Sequence, residues 1–136
     1  MVWTTNRIVA LILGVVFTLM GIAGFFVSSS MTPGNLLGMD VDIVHNIVHL
    51  ATGIIALIAV FAGKARLFNQ AFGIVYLLIG LAGLIPALYI SGMFLGTMHL
   101  NAGDHVFHII VGAVAAATGF FARDTATMPT TPTPAA

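Results

Sequence analysis

Apolar positions in this chain concentrate in four long runs, at residues 8–27, 44–62, 71–90 and 105–122, and every Lys, Arg and Asp lies outside them. Each run has about 18 to 20 residues, close to the ~20 helical residues needed to cross a hydrocarbon core of ~30 Å. None shows two-residue alternation, and lipid leaves the open edge of a sheet without partners, so the pattern predicts four transmembrane α-helices. The first run has the outline of a signal peptide, with Arg7 before it and Ser28, Ser29 and Ser30 after it. Its apolar length exceeds the ~7–15 residues of such a core, and it is expected to be retained.

Composition supports the same class. Of 136 residues, 60% are hydrophobic and 6% charged. A soluble domain carries about a quarter charged residues, so lipid must be the main solvent here. The formal net charge is zero, which removes the electrostatic case for nucleic acid. Without cysteine there are no disulfides, Cys-ligated clusters or covalently attached haem.

The basic residues set an orientation. Arg7 precedes the first run, Lys64 and Arg66 lie between the second and third, and Arg123 follows the fourth. All four fall on one side, which the positive-inside rule makes cytoplasmic, together with both termini. The outer loops, residues 28–43 and 91–104, carry no Lys or Arg. Residues 1–124 are expected to form one domain, followed by a disordered Thr/Pro/Ala tail over 125–136. Pro86 predicts a kink, or a loosened last turn, near the outer end of the third helix. The localisation expected is the bacterial cytoplasmic membrane.

Sliding the chain by 59 residues aligns 14–64 with 73–123 without a gap, giving about 12 identities in about 51 positions. Met39 falls on Met98, His49 on His108, Gly53 on Gly112 and Lys64 on Arg123. The expected architecture is therefore an all-α bundle built from two parallel two-helix repeats. Their pseudo-two-fold axis would run along the membrane normal and place His49 and His108 at one depth. Gly14, Gly21, Gly24 and Gly53, repeated as Gly73, Gly80, Gly83 and Gly112, are candidate packing positions, because small residues let membrane helices approach closely.

The remaining chemistry collects at the outer ends of the second and fourth helices. His45 and His49 are spaced i,i+4, and His105 and His108 i,i+3, which stacks each pair on one helical face. Asp42, and Asp104 or Asn101, suit helix N-caps. His49 and His108 lie about one turn inside their spans, where an ionisable group faces the bundle interior and has a structural or functional partner. A hydrogen bond between these two rings, locking the repeats together, is the simplest reading. A ligand site is the alternative, using His49, His108, His45, His105 and Asp104 for haem b or a divalent metal.

At NIVHLATG (residues 46–53) and DHVFHIIVG (residues 104–112), following GVVFTLMGIAGFF, the chain resembles a bacterial four-helix membrane family known only as domain of unknown function forty-three eighty-three. The resemblance spans about residues 8–123 and carries over Asn46, His49, Gly53, Asp104, His108 and Gly112. Ile109 stands where the pattern has Leu. The resemblance implies an all-helical membrane fold and no known activity.

Three functions fit these residues. The first is a non-enzymatic packing or accessory subunit of a membrane complex, or a homo-oligomer, with lipid as its surroundings. The second is a membrane protein with a His-ligated cofactor, and the third a small transporter or channel. Hydrolytic enzymes are disfavoured, since the chain has no Glu, Cys, Gly-x-Ser-x-Gly elbow, His-Glu-x-x-His motif or phosphate-binding loop.

Overall fold

Four helices carry the chain back and forth, and each is long and apolar enough to cross a membrane. The computed structural model describes residues 2–124, so the tail expected over 125–136 lies outside the described residues. Helix α1 is Thr5–Val27, α2 Ile43–Phe61, α3 Ala65–Ala82 and α4 Ala102–Phe121. At 1.5 Å per residue these lengths are about 27 to 35 Å. Large aliphatic side chains such as Ile12, Leu19, Ile55, Ile58, Leu78 and Ile110 point outward, as lipid-facing positions do.

Local signals set the helix ends. Thr4 caps α1 by accepting from the Arg7 amide (3.3 Å), and Asp42 caps α2 by accepting from the His45 amide (3.0 Å). Asn101 and Asp104 form a reciprocal capping box at the start of α4. Between α2 and α3 the chain turns at Gly63, whose φ of +70° is costly for any residue with a Cβ. The Lys64 amide then returns to the Ala59 carbonyl (2.8 Å), closing a Schellman-type stop.

The third helix differs from the run expected at 71–90. It starts six residues earlier, because Arg66, Asn69 and Gln70 turn their polar groups inward rather than into lipid. Asn69 is buried and donates to Asn6, while Arg66 and Gln70 both donate to the Gly119 carbonyl. It also ends early. Pro86 holds Ile85 extended (φ −98°, ψ 105°), so the helix stops at Ala82 and Pro86 opens a short 3-10 turn instead of kinking a longer helix.

The outer connections are not plain loops. Strands β1 (Gly34–Leu36) and β2 (Met39–Val41) form one antiparallel hairpin, and β3 (Tyr89–Ile90) and β4 (Met93–Phe94) form another. Both turn in two residues with positive φ: Leu37 and Gly38 in the first, Ser91 and Gly92 in the second. That is the backbone of the I′ turn, whose twist matches the flanking strands. The fold is thus mostly helical, with two small hairpins at one end.

Helix α1 lies chiefly along α2, and α3 chiefly along α4. Glycines set both approaches. A Cβ on Gly14 would meet Leu57 (2.8 Å), and one on Gly73 would meet Ala116; Gly21 faces the Leu50 amide (2.6 Å) and Gly80 that of Ile109 (2.9 Å). Gly24 faces Asn46, Gly83 faces His105, Gly53 faces Thr18, and Gly112 faces Leu77 (2.6 Å). Between the pairs lies an aromatic core of Phe17, Phe72 and Tyr76 with Leu13 and Ala115. Phe72 stacks on Tyr76 at 4.0 Å, and Phe17 meets both rings edge-on.

The two ends of the bundle differ. At one, Asn6, Arg7, Gly63, Arg66, Asn69 and Asp124 come together, with Asn6 donating to Asp124 (3.0 Å). At the other, the hairpins meet the first turns of α2 and α4, where the histidines lie.

Candidate metal centre

The histidine end is tied together by aspartates that bind backbone amides. Asp42 accepts from the amides of His45 and His99 and from the His99 ring (2.9 Å). Burial alone would raise its pKa, but these hydrogen bonds and the His99 ring outweigh burial and hold the carboxyl below its ordinary value. Asp104 accepts from the Asn101 amide (2.8 Å) and the Asp40 amide (3.0 Å), so it joins α4 to the first hairpin. Asp40 in turn accepts from the Asn101 side chain. Both N-cap expectations hold, with Asn101 as the cap of α4 and Asp104 as its capping-box partner.

Beneath this layer, His45 and His49 from α2 and His108 from α4 converge. All three are buried, and one ring nitrogen from each lies within 4.8 Å of the others. The His45 Nδ1–H donates to the Asp40 carbonyl (2.8 Å), which leaves His45 Nε2 with its lone pair facing the cluster. That nitrogen stands 3.0 Å from His49 Nε2, which donates to it in the ion-free chain. Among the described residues His49 Nδ1 then has no hydrogen-bond partner, and neither ring nitrogen of His108 has one. A buried polar atom without a partner costs about 1–3 kcal/mol. The edge-on Tyr76 ring (5.2 Å) offers His108 only a weak contact.

The expected hydrogen bond between His49 and His108 is therefore not made. Their ring centroids are 6.0 Å apart at nearly perpendicular orientation, without a shared proton. Between the rings lies a cavity of about 20 Å³ lined by His45, Val48, His49, Tyr76, Ile79, Met98 and His108. That volume holds one water-sized particle. A haem does not fit: Phe17 packs on His49 (4.9 Å) and Tyr76 on His108, and no slot for a macrocycle separates the two imidazoles.

Two sequence candidates stand apart from the trio. The His105 ring lies over Gly83, and its Nε2 shares a hydrogen bond with the Tyr89 hydroxyl (2.9 Å), which also donates to the Gly83 carbonyl. Burial raises the Tyr89 pKa first, and the Asp104 carboxylate raises it further. Asp104 accepts two amides on Oδ2, keeps a buried Oδ1 without a partner among the described residues, and does not line the cavity. Sequence reasoning passed over the Asp40 carbonyl, Tyr76 and Met98. Only the alignment of Met39 with Met98 in the repeat marked the last of these.

Three imidazoles around a cavity of one-ion size suit a first-row transition metal. An ion with metal–nitrogen bonds of ~2.0–2.1 Å keeps its ligand nitrogens within about 4.2 Å of one another, so small ring movements would close the set. The Asp40 carbonyl on the remote nitrogen of His45 is the outer-shell contact that orients a metal-ligating histidine.

Fold and site define a four-span membrane protein with a buried three-histidine cluster near one end. The chain belongs to the family described as Domain of unknown function (DUF4383), whose model matches residues 7–121. No curated protein and no solved structure matches it.

Proposed function

We propose that this protein is a small, non-enzymatic, multi-pass membrane protein that holds one transition-metal ion at His45, His49 and His108. The observation that carries this reading is the convergence of three buried imidazoles, with three unpartnered nitrogens among them, on a cavity of one-ion size. The cavity has no room for an organic substrate, and its lining holds no nucleophile or general-base carboxylate.

The scaffold is read as a duplicated two-helix unit. Its support is the register of the glycine contacts: Gly14–Leu57 with Gly73–Ala116, Gly21–Leu50 with Gly80–Ile109, Gly24–Asn46 with Gly83–His105, and Gly53–Thr18 with Gly112–Leu77. Each contact recurs with both partners displaced by the same 59 residues found in the sequence alignment. Arg7, Lys64, Arg66 and Arg123 favour the end of the bundle opposite the histidines as the cytoplasmic one, in a bacterial inner membrane.

A second reading is favoured by the cavity volume itself. About 20 Å³ also holds one water, which would bridge the imidazoles and make the cluster a packing device of an accessory subunit or homo-oligomer. Metal-dependent stability separates the two. A ligand that binds only the folded state at 100 times its Kd adds about 2.7 kcal/mol. Purified protein should melt higher with added zinc, cobalt or copper, and His108→Phe should lose that gain. Equal melting with and without metal would leave the bridging-water reading.

A further inference from the structure

We infer that the ion held at this centre is monovalent copper, with the Met98 thioether as a fourth donor beside the three imidazoles; this rests on the metal reading above and deepens it. Met98 comes from the second outer loop, just after β4, and lines the same cavity as His45, His49 and His108. Its backbone is held in place, because the Met98 carbonyl accepts from the Phe94 amide at 2.8 Å. The rest of the lining is Val48, Ile79 and Tyr76, whose hydroxyl is engaged by Thr52 (3.3 Å). The donors available are thus three nitrogens and one sulfur.

Donor chemistry selects among ions. Calcium and magnesium need several oxygen ligands, and the lining of this cavity includes no carboxylate or carboxamide side chain. Asp42 and Asp104 do not line it: both Asp42 oxygens and Asp104 Oδ2 accept from backbone amides, while Asp104 Oδ1 is buried without a partner among the described residues. Soft thioether sulfur favours Cu(I) over harder divalent ions, and imidazole suits copper as well.

Charge points the same way. Bound by neutral imidazoles and a neutral thioether, a divalent ion would bring two uncompensated charges into a buried site. The cost of moving an ion out of water grows with the square of its charge, so a monovalent ion incurs about a quarter of it. The second hairpin makes Met98 more than a wall residue. The β3–β4 turn and the Phe94–Met98 bridge bring this loop back over the ends of α2 and α4, and the His99 amide that follows is fastened to Asp42. The loop therefore carries a donor to a site whose other three ligands belong to the helices.

The test uses the full-length protein in detergent, under anaerobic conditions, titrated with Cu(I) against a colorimetric Cu(I) chelator and separately with Zn(II). The native chain should bind one Cu(I), and its X-ray absorption spectrum should show a sulfur scatterer beside nitrogen. Met98→Leu, a swap of similar volume that cores tolerate, should weaken Cu(I) at least tenfold, remove the sulfur signal and leave Zn(II) binding unchanged. Unchanged Cu(I) affinity in Met98→Leu, or a native spectrum with nitrogen alone, would overturn the Met98 assignment while leaving the three-histidine centre standing. Binding of neither ion by the folded native chain would overturn both. If Met98→Leu does not fold, the native absorption spectrum decides alone.

Discussion

Gly112 lies one turn beyond His108 on the inward face of α4, where α4 meets α3. A Cβ built there would stand 2.6 Å from the Leu77 amide nitrogen and 3.0 Å from the Tyr76 carbonyl carbon. Both are backbone atoms, so no rotamer change relieves the clash. Ordinary contact begins near 3.4 Å, and the Gly112→Ala variant must therefore open the α3–α4 approach by about 0.8 Å. Overpacking of this kind costs about 1–3 kcal/mol. Alanine in a helix recovers about 0.8–1 kcal/mol relative to glycine. The difference runs from about 0 to 2 kcal/mol, and a clash with two backbone atoms places the expected net loss in the upper half of that range, above about 1 kcal/mol. It should appear as a lower midpoint in SDS-induced unfolding from mixed micelles, followed by loss of helical circular dichroism. Val114→Ala, on the lipid-facing side of the same helix, should change the midpoint little. A Gly112→Ala protein as stable as the native chain, or more so, would mean that the propensity gain is unopposed and that the glycine contact does not set the helix approach.

Other substitutions test other joints. Asp42→Ala removes the cap of α2 and both bonds to His99; charged hydrogen bonds of this kind are worth about 1.5–3 kcal/mol, so the same unfolding assay should show a loss of at least about 2 kcal/mol. Tyr89→Phe removes the tie to Gly83 and His105 and should cost about 1 kcal/mol at neutral pH. Because the folded-state pKa of Tyr89 is raised, the native chain keeps that contribution below the unfolded value of about 10 and loses it as pH rises toward the folded value. Tyr89→Phe should remove this alkaline component from a melting profile taken between neutral and strongly alkaline pH. The chain has no cysteine, so Asn35→Cys and Lys64→Cys give single labels at opposite ends. A membrane-impermeant maleimide applied to intact cells should label only Asn35→Cys, and labelling of Lys64→Cys alone would invert the proposed orientation.

Four candidate spans and their class were legible because apolar run length is a direct consequence of bilayer thickness and helix geometry. The third span was misplaced because hydropathy counts composition and not direction. Asn69 and Gln70 fall just before the expected run at 71–90, yet in the bundle they are helical and bond inward to Asn6 and Gly119. The hairpins were invisible since neither turn carries the Asn-Gly or Asp-Gly signal, and Leu37 and Ser91 adopt positive φ in spite of their side chains. At the candidate centre, helical spacing paired His45 with His49, whose rings meet at 4.3 Å, and His105 with His108, whose rings part. It could not reveal that α4 turns only His108 into the cavity while His105 is drawn to Tyr89 and Gly83. Met98 was marked only by its repeat alignment with Met39 and not as a donor, because a loop residue has no helical register to betray its direction.

The central claim is a metal ion at His45, His49 and His108, and elemental analysis of the purified protein tests it most directly. After reconstitution with excess transition metal and exhaustive removal of free ion, the native chain should retain one ion per polypeptide, and a folded variant with all three histidines replaced should retain none. A folded native chain that retains no metal, or a triple variant that retains as much as the native one, would contradict the account.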